Sequence, residues 1–157
     1  MIDAKRRILL KGSLAAGAVS VAVGAGLLTP RMVLAAWPEA AFSAKSVDDA
    51  LTALLGTATH EASDAIQIKA PDIAENGAVV PVTVETSLEG VKSIAIIASG
   101  NATPLVASFD LGETAVPFVS TRIKMGKTAD VVAVVQTGDK LLSNAKNVKV
   151  TIGGCGG

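Results

Sequence analysis

The chain is short of the residues that most often carry chemistry. Its 157 residues include one cysteine, Cys155, and one histidine, His60. A single cysteine excludes an intramolecular disulfide framework and any cysteine-cluster metal site, and a single histidine excludes a histidine-rich zinc or copper site within one chain. No resident metal or cofactor is expected. Tyrosine is absent, and the aromatics are Trp37, Phe42, Phe109 and Phe118 alone, which leaves little for stacking bases or sugars. Charge of one sign is not in excess either, since fourteen bases balance fourteen acids. That neutrality argues against an electrostatic nucleic-acid binder.

The balance is a cancellation between two segments. Residues 1–35 hold five bases (Lys5, Arg6, Arg7, Lys11, Arg31) against one acid, Asp3, a balance of +4; nine bases and thirteen acids, −4, are left for residues 36–157. Lys5, Arg6, Arg7 and Lys11 precede an uncharged stretch from Gly12 to Pro30. Its nineteen residues are just enough to span a bilayer as a helix. The stretch is mostly Ala and Gly, however, and Gly12, Gly17, Gly24 and Gly26 each weaken a helix while Ala contributes little transfer energy. A positive start, a weakly apolar middle and small residues at Val33-Leu34-Ala35-Ala36 read as a cleavable export signal rather than a membrane anchor. Lys5-Arg6-Arg7-Ile8-Leu9-Leu10-Lys11 resembles a twin-arginine signal, with Lys5 and Leu9 in place of the usual polar residue and Phe. Cleavage is expected after Ala35, placing residues 36–157 in a bacterial periplasm with no membrane attachment.

The remaining chain suits one ordinary domain. Ser46 can cap a helix, with Asp48 and Asp49 at its positive end. Val47, Leu51, Leu54 and Leu55 then share a face, and Gly56 is a natural stop. A short amphipathic helix over 47–55 follows. Beyond it the period becomes two. Val80, Val82 and Val84 alternate with polar or Pro residues, as do Val148, Val150 and Ile152, the last strand covering 146–152. Further β-rich runs occupy 66–69, 92–99, 105–111, 118–125 and 129–136. Asn76-Gly77, Glu89-Gly90, Gly100-Asn101, Gly112, Gly126 and Gly138-Asp139 punctuate them. The expected fold is all-β: an immunoglobulin-like antiparallel β-sandwich over residues 36–152, with a short amino-terminal helix. Pro81 marks an edge or irregularity, and Asn76-Gly77 reads as a hairpin turn. His60 reads as surface loop. Arg122, Lys124 and Lys127 could guide an anion, but a solvated strand face is the simpler expectation.

The last strand runs into Gly153-Gly154-Cys155-Gly156-Gly157. Four glycines around a thiol are a poor way to build a strand and a good way to make a thin, flexible arm. Five residues extend to about 17 Å, and without neighbouring β-carbons the sulfur could enter a narrow channel. An unpaired Cys in an exported protein signals intermolecular pairing or a reactive thiol. No base lies near Cys155 in sequence, and a swinging arm does not hold a nucleophile against a fixed oxyanion hole. The pattern points to covalent attachment of a substrate on which other proteins act. Two alternatives stay open on the residues alone. One is an exported structural sandwich whose Cys155 only forms a disulfide-linked dimer; the other is a thiol enzyme working unaided.

Lys149-Val150-Thr151-Ile152-Gly153-Gly154-Cys155-Gly156-Gly157 resembles the terminal signature of the SoxY family, the sulfur-carrier subunits of the thiosulfate-oxidising Sox system. Residues 71–82, residues 117–125 and the twin-arginine leader are similar as well. The resemblance implies a non-enzymatic carrier with Cys155 as the covalent site and Gly153, Gly154, Gly156 and Gly157 as its arm. It also implies a SoxZ-like partner in a heterodimer, and transient visits to SoxXA-, SoxB- and SoxCD-like enzymes. The adducts implied are a cysteine S-thiosulfonate and, after release of sulfate, a persulfide.

Overall fold

The computed structural model describes residues 37–138 and 140–151. The leader with its cleavage site, and Gly153, Gly154, Cys155, Gly156 and Gly157, lie outside the described residues. Among the described residues two helices come first, α1 (Glu39–Ser43) and α2 (Val47–Leu55). The expected bounds of α2 hold because its ends are chemically defined. The Ser46 hydroxyl accepts from the Asp49 amide at 3.1 Å, and Gly56, at φ +81°, closes the carboxyl end by donating its N–H to the Thr52 carbonyl at 2.9 Å. The short α1 was not expected, because five residues are too few to display a helical period. The Trp37 and Phe42 rings stack there with centroids 4.3 Å apart.

Nine strands follow: β1 (Glu61–Ala62), β2 (Ile66–Lys69), β3 (Ile73–Ala74), β4 (Val80–Thr86), β5 (Val91–Ala98), β6 (Leu105–Asp110), β7 (Phe118–Ile123), β8 (Ala129–Thr137) and β9 (Lys140–Val150). They form two sheets. The larger has the order β1-β9-β8-β5-β6 with β3 also on β9; the smaller is β2-β4-β7. All pairings are antiparallel except those of β1 and β3, which run parallel to β9. The sandwich expected from alternation is therefore present, with two parallel two-residue additions that carry no periodic signal of their own.

The sheets enclose one core. Val80, Val82 and Val84 of β4 meet Ile94 and Ile96 of β5, Val131, Ala133 and Val135 of β8, and Val148 of β9. A second core lies on the other face of the larger sheet, where Ala95, Ile97 and Val134 pack with Ala50 and Leu51 of α2 and Ala41 of α1. The described residues thus form three layers. This explains why Ile94-Ala95-Ile96-Ile97-Ala98 and Val131 to Val135 are apolar without alternation: both faces are covered. Each fully buried Leu or Ile here contributes about 1.5–3 kcal/mol relative to exposure.

Pro81 sits in the central strand of the smaller sheet, but its position is locally an edge. β2 ends at Lys69, opposite Thr83, so Pro81 has a partner, Arg122, on the β7 side alone. That spares the sheet the ladder bond Pro cannot donate. The turn at Gly138, with φ +56°, joins the Thr137–Lys140 pair. No helix among the described residues is long and apolar enough to cross a membrane.

Candidate functional site

β9 is the strand that leads to the Cys155 segment. It is longer than its sequence suggests: Lys140 to Ala145, which carry little alternation, extend it at the amino end because β8 offers them a full ladder from Thr137 back to Val132. On its other edge β9 meets β1 at Leu142 and Ser143, then β3 at Lys149 and Val150. Between them β2 leaves for the smaller sheet. The side chains of β9 follow it, Asn144 Nδ2 donating to the Ile66 carbonyl and Lys146 Nζ to the Ala70 carbonyl, each at 2.7 Å. Lys146 also pairs with Asp72 at 3.0 Å.

The end of β9 is gripped from both sides. Toward β3, the Lys149 amide donates to the Asp72 carbonyl at 2.9 Å and the Thr151 amide to the Ala74 carbonyl at 3.0 Å. Toward β8, the Thr128 hydroxyl takes over from the backbone ladder. Its Oγ1 accepts from the Val150 amide at 2.9 Å and donates to the Val150 carbonyl at 3.3 Å. Bonds of this kind each contribute about 0.5–1.5 kcal/mol net. The backbone is therefore held through Thr151, four residues before Cys155, and four residues reach about 13–14 Å.

Gly77 completes the grip, and for a reason other than the one expected. It is not in a hairpin, since β3 and β4 belong to different sheets, and its φ is not positive. A β-carbon there would lie 2.3 Å from the Met125 carbonyl oxygen and 2.8 Å from Val150 Cγ1. Glycine is required by close approach: it lets the crossing between sheets press onto Val150. Asn76 shapes that crossing with its side-chain carbonyl, which accepts the Ala78 amide at 2.9 Å. The Gly77 carbonyl also receives the Met125 amide at 2.7 Å, tying down the β7–β8 loop that carries Thr128. Asn101 pins the same loop, its Nδ2 donating to the Lys124 carbonyl at 2.7 Å and its Oδ1 accepting the Gly126 amide at 2.9 Å.

His60 is an exposed loop residue as expected, yet not a free one: its Nδ1 lies 2.8 Å from Ser143 Oγ. That fixes it at the start of the β1–β9 contact. From Ser143 to Thr151 the strand rises about 26 Å, roughly twice the reach from Thr151 to Cys155. The chain's one imidazole is therefore out of range as a base within a protomer. No three Asp, Glu, His or Cys residues among those described are grouped to hold a metal. Of the basic trio, Arg122 stands on β7 opposite Pro81, while Lys124 and Lys127 line a cleft beside Thr128. Gly77, Asn101 and Thr128 were not singled out by sequence as a group. The Asn76-Gly77 pair was visible, but the steric demand on Gly77 arises from Met125 and Val150, residues far along the chain.

Comparison with known proteins agrees with this architecture. The family described as "Sulfur oxidation protein SoxY" matches residues 51–155, a span that includes Cys155. The structure of the sulfur carrier protein SoxY from Chlorobium limicola f thiosulfatophilum is 51% identical, with 68% of this chain and 97% of that chain covered and a TM-score of 0.63. A superoxide reductase (neelaredoxin) from Ignicoccus hospitalis is 17% identical with a TM-score of 0.50, over 55% of this chain and 80% of that one, a likeness of fold alone. No curated protein matches. The family match over two thirds of the chain and the identity across nearly all of a SoxY structure lead to one conclusion: the chain belongs to the SoxY family.

Proposed function

We propose that this protein is an exported sulfur carrier that holds intermediates of thiosulfate oxidation on Cys155 and presents them to separate enzymes. The observation that carries the reading is family membership, with a matched span that reaches Cys155 itself. The described residues support it. β9 is fixed through Thr151, so a short glycine arm would start from a rigid base. The imidazole stands about 26 Å up the strand from Thr151, beyond the reach of a four-residue arm, so it does not serve the thiol as a base. A carrier needs none.

The chemistry is then supplied by others. Thiosulfate joins the Cys155 thiolate through a new S–S bond, and the two electrons released pass to a haem protein of the SoxXA type. The product is a cysteine S-thiosulfonate. A SoxB-like hydrolase adds water to the terminal sulfone; sulfate and two protons leave, and the arm keeps a persulfide. A SoxCD-like dehydrogenase, where one is present, oxidises that sulfur further to a sulfonate, with water supplying the oxygens and the electrons leaving through the dehydrogenase to its own acceptor. A SoxZ-like subunit completes the carrier as a heterodimer. The leader Lys5-Arg6-Arg7 suits a twin-arginine route to the periplasm, which accepts folded cargo and so a preassembled pair.

The test is mass analysis of the tryptic peptide 150–157 from cells growing on thiosulfate. Sulfur-bearing adducts on Cys155 are expected, and Cys155→Ser cells should lose thiosulfate oxidation while the protein keeps its thermal stability. A peptide that remains a plain thiol, together with normal thiosulfate oxidation by the Cys155→Ser strain, would overturn the reading.

A further inference from the structure

The cleft beside the end of β9 has a use that the carrier reading does not assign. Gly100, Asn101, Thr103, Lys124, Gly126 and Lys127 line a depression of about 570 Å³ between the β5–β6 and β7–β8 loops. Among the described residues no acidic side chain lines it, and neither Lys124 nor Lys127 is in an ion pair. Both lysines are exposed. The nearest acid on the adjoining strand, Asp130, is already engaged, its carboxylate accepting from Asn147 Nδ2 at 2.7 Å.

The cleft is built rather than incidental. Asn101 bridges its two walls through the Lys124 carbonyl and the Gly126 amide. Gly100 lets the walls approach: a β-carbon there would lie 2.6 Å from Ala129 Cβ and 3.1 Å from both Cγ and Cε of Lys127. The Lys127 stem thus runs close over the Gly100 backbone, which limits its freedom. The cleft also adjoins the end of β9. In the β8–β9 ladder Ala129 faces Val148, and two steps further the same register brings Val150 level with Lys127. Thr128, the next residue, is the one whose hydroxyl holds Val150.

We infer that this lysine cleft receives the anionic sulfonate end of an adduct on this chain's own Cys155. The inference rests on the carrier reading and specifies where the loaded arm lies between enzymes. The reach fits, since Cys155 lies within about 13–14 Å of Thr151 and the cleft begins beside Val150. The charge fits as well. An S-thiosulfonate places a full negative charge on three oxygens that the unloaded side chain lacks, so the two ammonium groups hold the loaded arm more firmly than the empty one. Being solvent-exposed, the contact is weak and screened by salt, as suits an adduct that enzymes must later extract.

The test installs the adduct chemically, so that it does not depend on whether cells load the arm. Attack of the Cys155 thiolate on an inner sulfur of tetrathionate leaves the S-thiosulfonate on the protein and expels thiosulfate. In the ¹⁵N-labelled protein as isolated, amide shifts at Gly100 to Thr103 and Gly126 to Thr128 are expected on loading and should fade in high salt. They should vanish in Lys124→Ala/Lys127→Ala and persist in Lys124→Arg/Lys127→Arg. Release of the adduct by dithiothreitol should be about 3- to 10-fold faster in the alanine pair. Neutral capping of Cys155 with iodoacetamide should leave the cleft amides unmoved. Shifts mapping elsewhere, an alanine pair that behaves as wild type, or equal shifts from the neutral cap would each overturn the inference. Because the adduct is made in vitro, these failures are distinct from a Cys155 that cells never load.

Discussion

Gly77→Ala is the sharpest probe of the structure around the end of β9. The added methyl would lie 2.3 Å from the Met125 carbonyl oxygen and 2.8 Å from Val150 Cγ1. The first is backbone in a loop that Asn101 already holds, so the crossing between β3 and β4 must withdraw instead. Doing so stretches the Met125-to-Gly77 hydrogen bond, 2.7 Å long, and lifts the chain off Val150. Overpacking of this kind costs about 1–3 kcal/mol and the weakened bond about 0.5–1.5 kcal/mol. The loss of unfolded-state entropy on replacing Gly returns about 0.4–1 kcal/mol. The net is a destabilisation centred on about 2 kcal/mol, or roughly 8 °C in Tm for a domain of about this size. Urea and thermal unfolding followed by circular dichroism measure it directly. Hydrogen exchange should show the Val150 and Thr151 amides opening first. Gly112→Ala is the control: nothing lies within 4 Å of a β-carbon there and its φ is not positive, so its change should stay within about 0.5 kcal/mol. A Gly77→Ala protein as stable as that control would show that close approach to Val150 and Met125 is not what glycine serves at this position.

Two further substitutions separate the parts of the molecule. Thr128→Val keeps the shape but removes the hydroxyl that serves both the amide and the carbonyl of Val150; about 1–2 kcal/mol should be lost, with faster exchange confined to the last turn of chain around Val150, and Thr128→Ser should restore most of it. Leu51→Ala empties a fully buried position between α2 and the larger sheet and should cost about 2–5 kcal/mol in chemical denaturation. A loss well under 1 kcal/mol there would mean that the helices are not a true third layer.

How far the sequence alone reached is clearest at particular residues. Ser46, Asp49 and Gly56 define α2 through contacts within a few positions, so the helix could be bounded by inspection. The alternation of Val80, Val82 and Val84 identified β4 because one face is buried and the other wet. Cys155 among glycines was legible for a similar reason, since its meaning depends on composition and not on neighbours in space; Cys155 itself lies outside the described residues, and its role is the proposal above. Three things needed the tertiary structure. The helical layer over β5 and β8 explains their unbroken apolar runs, but periodicity alone cannot say what covers a second face. The strands β1 and β3 exist only because β9 offers them an edge; two residues carry no period. The grip on the end of β9 by Gly77, Thr128 and the Asp72 and Ala74 carbonyls joins residues about 20 to 80 positions apart in sequence, and steric demands across such separations leave no local signature. Local chemistry and periodicity are written along the chain, whereas close approach between distant segments is decided only when the sheets have packed.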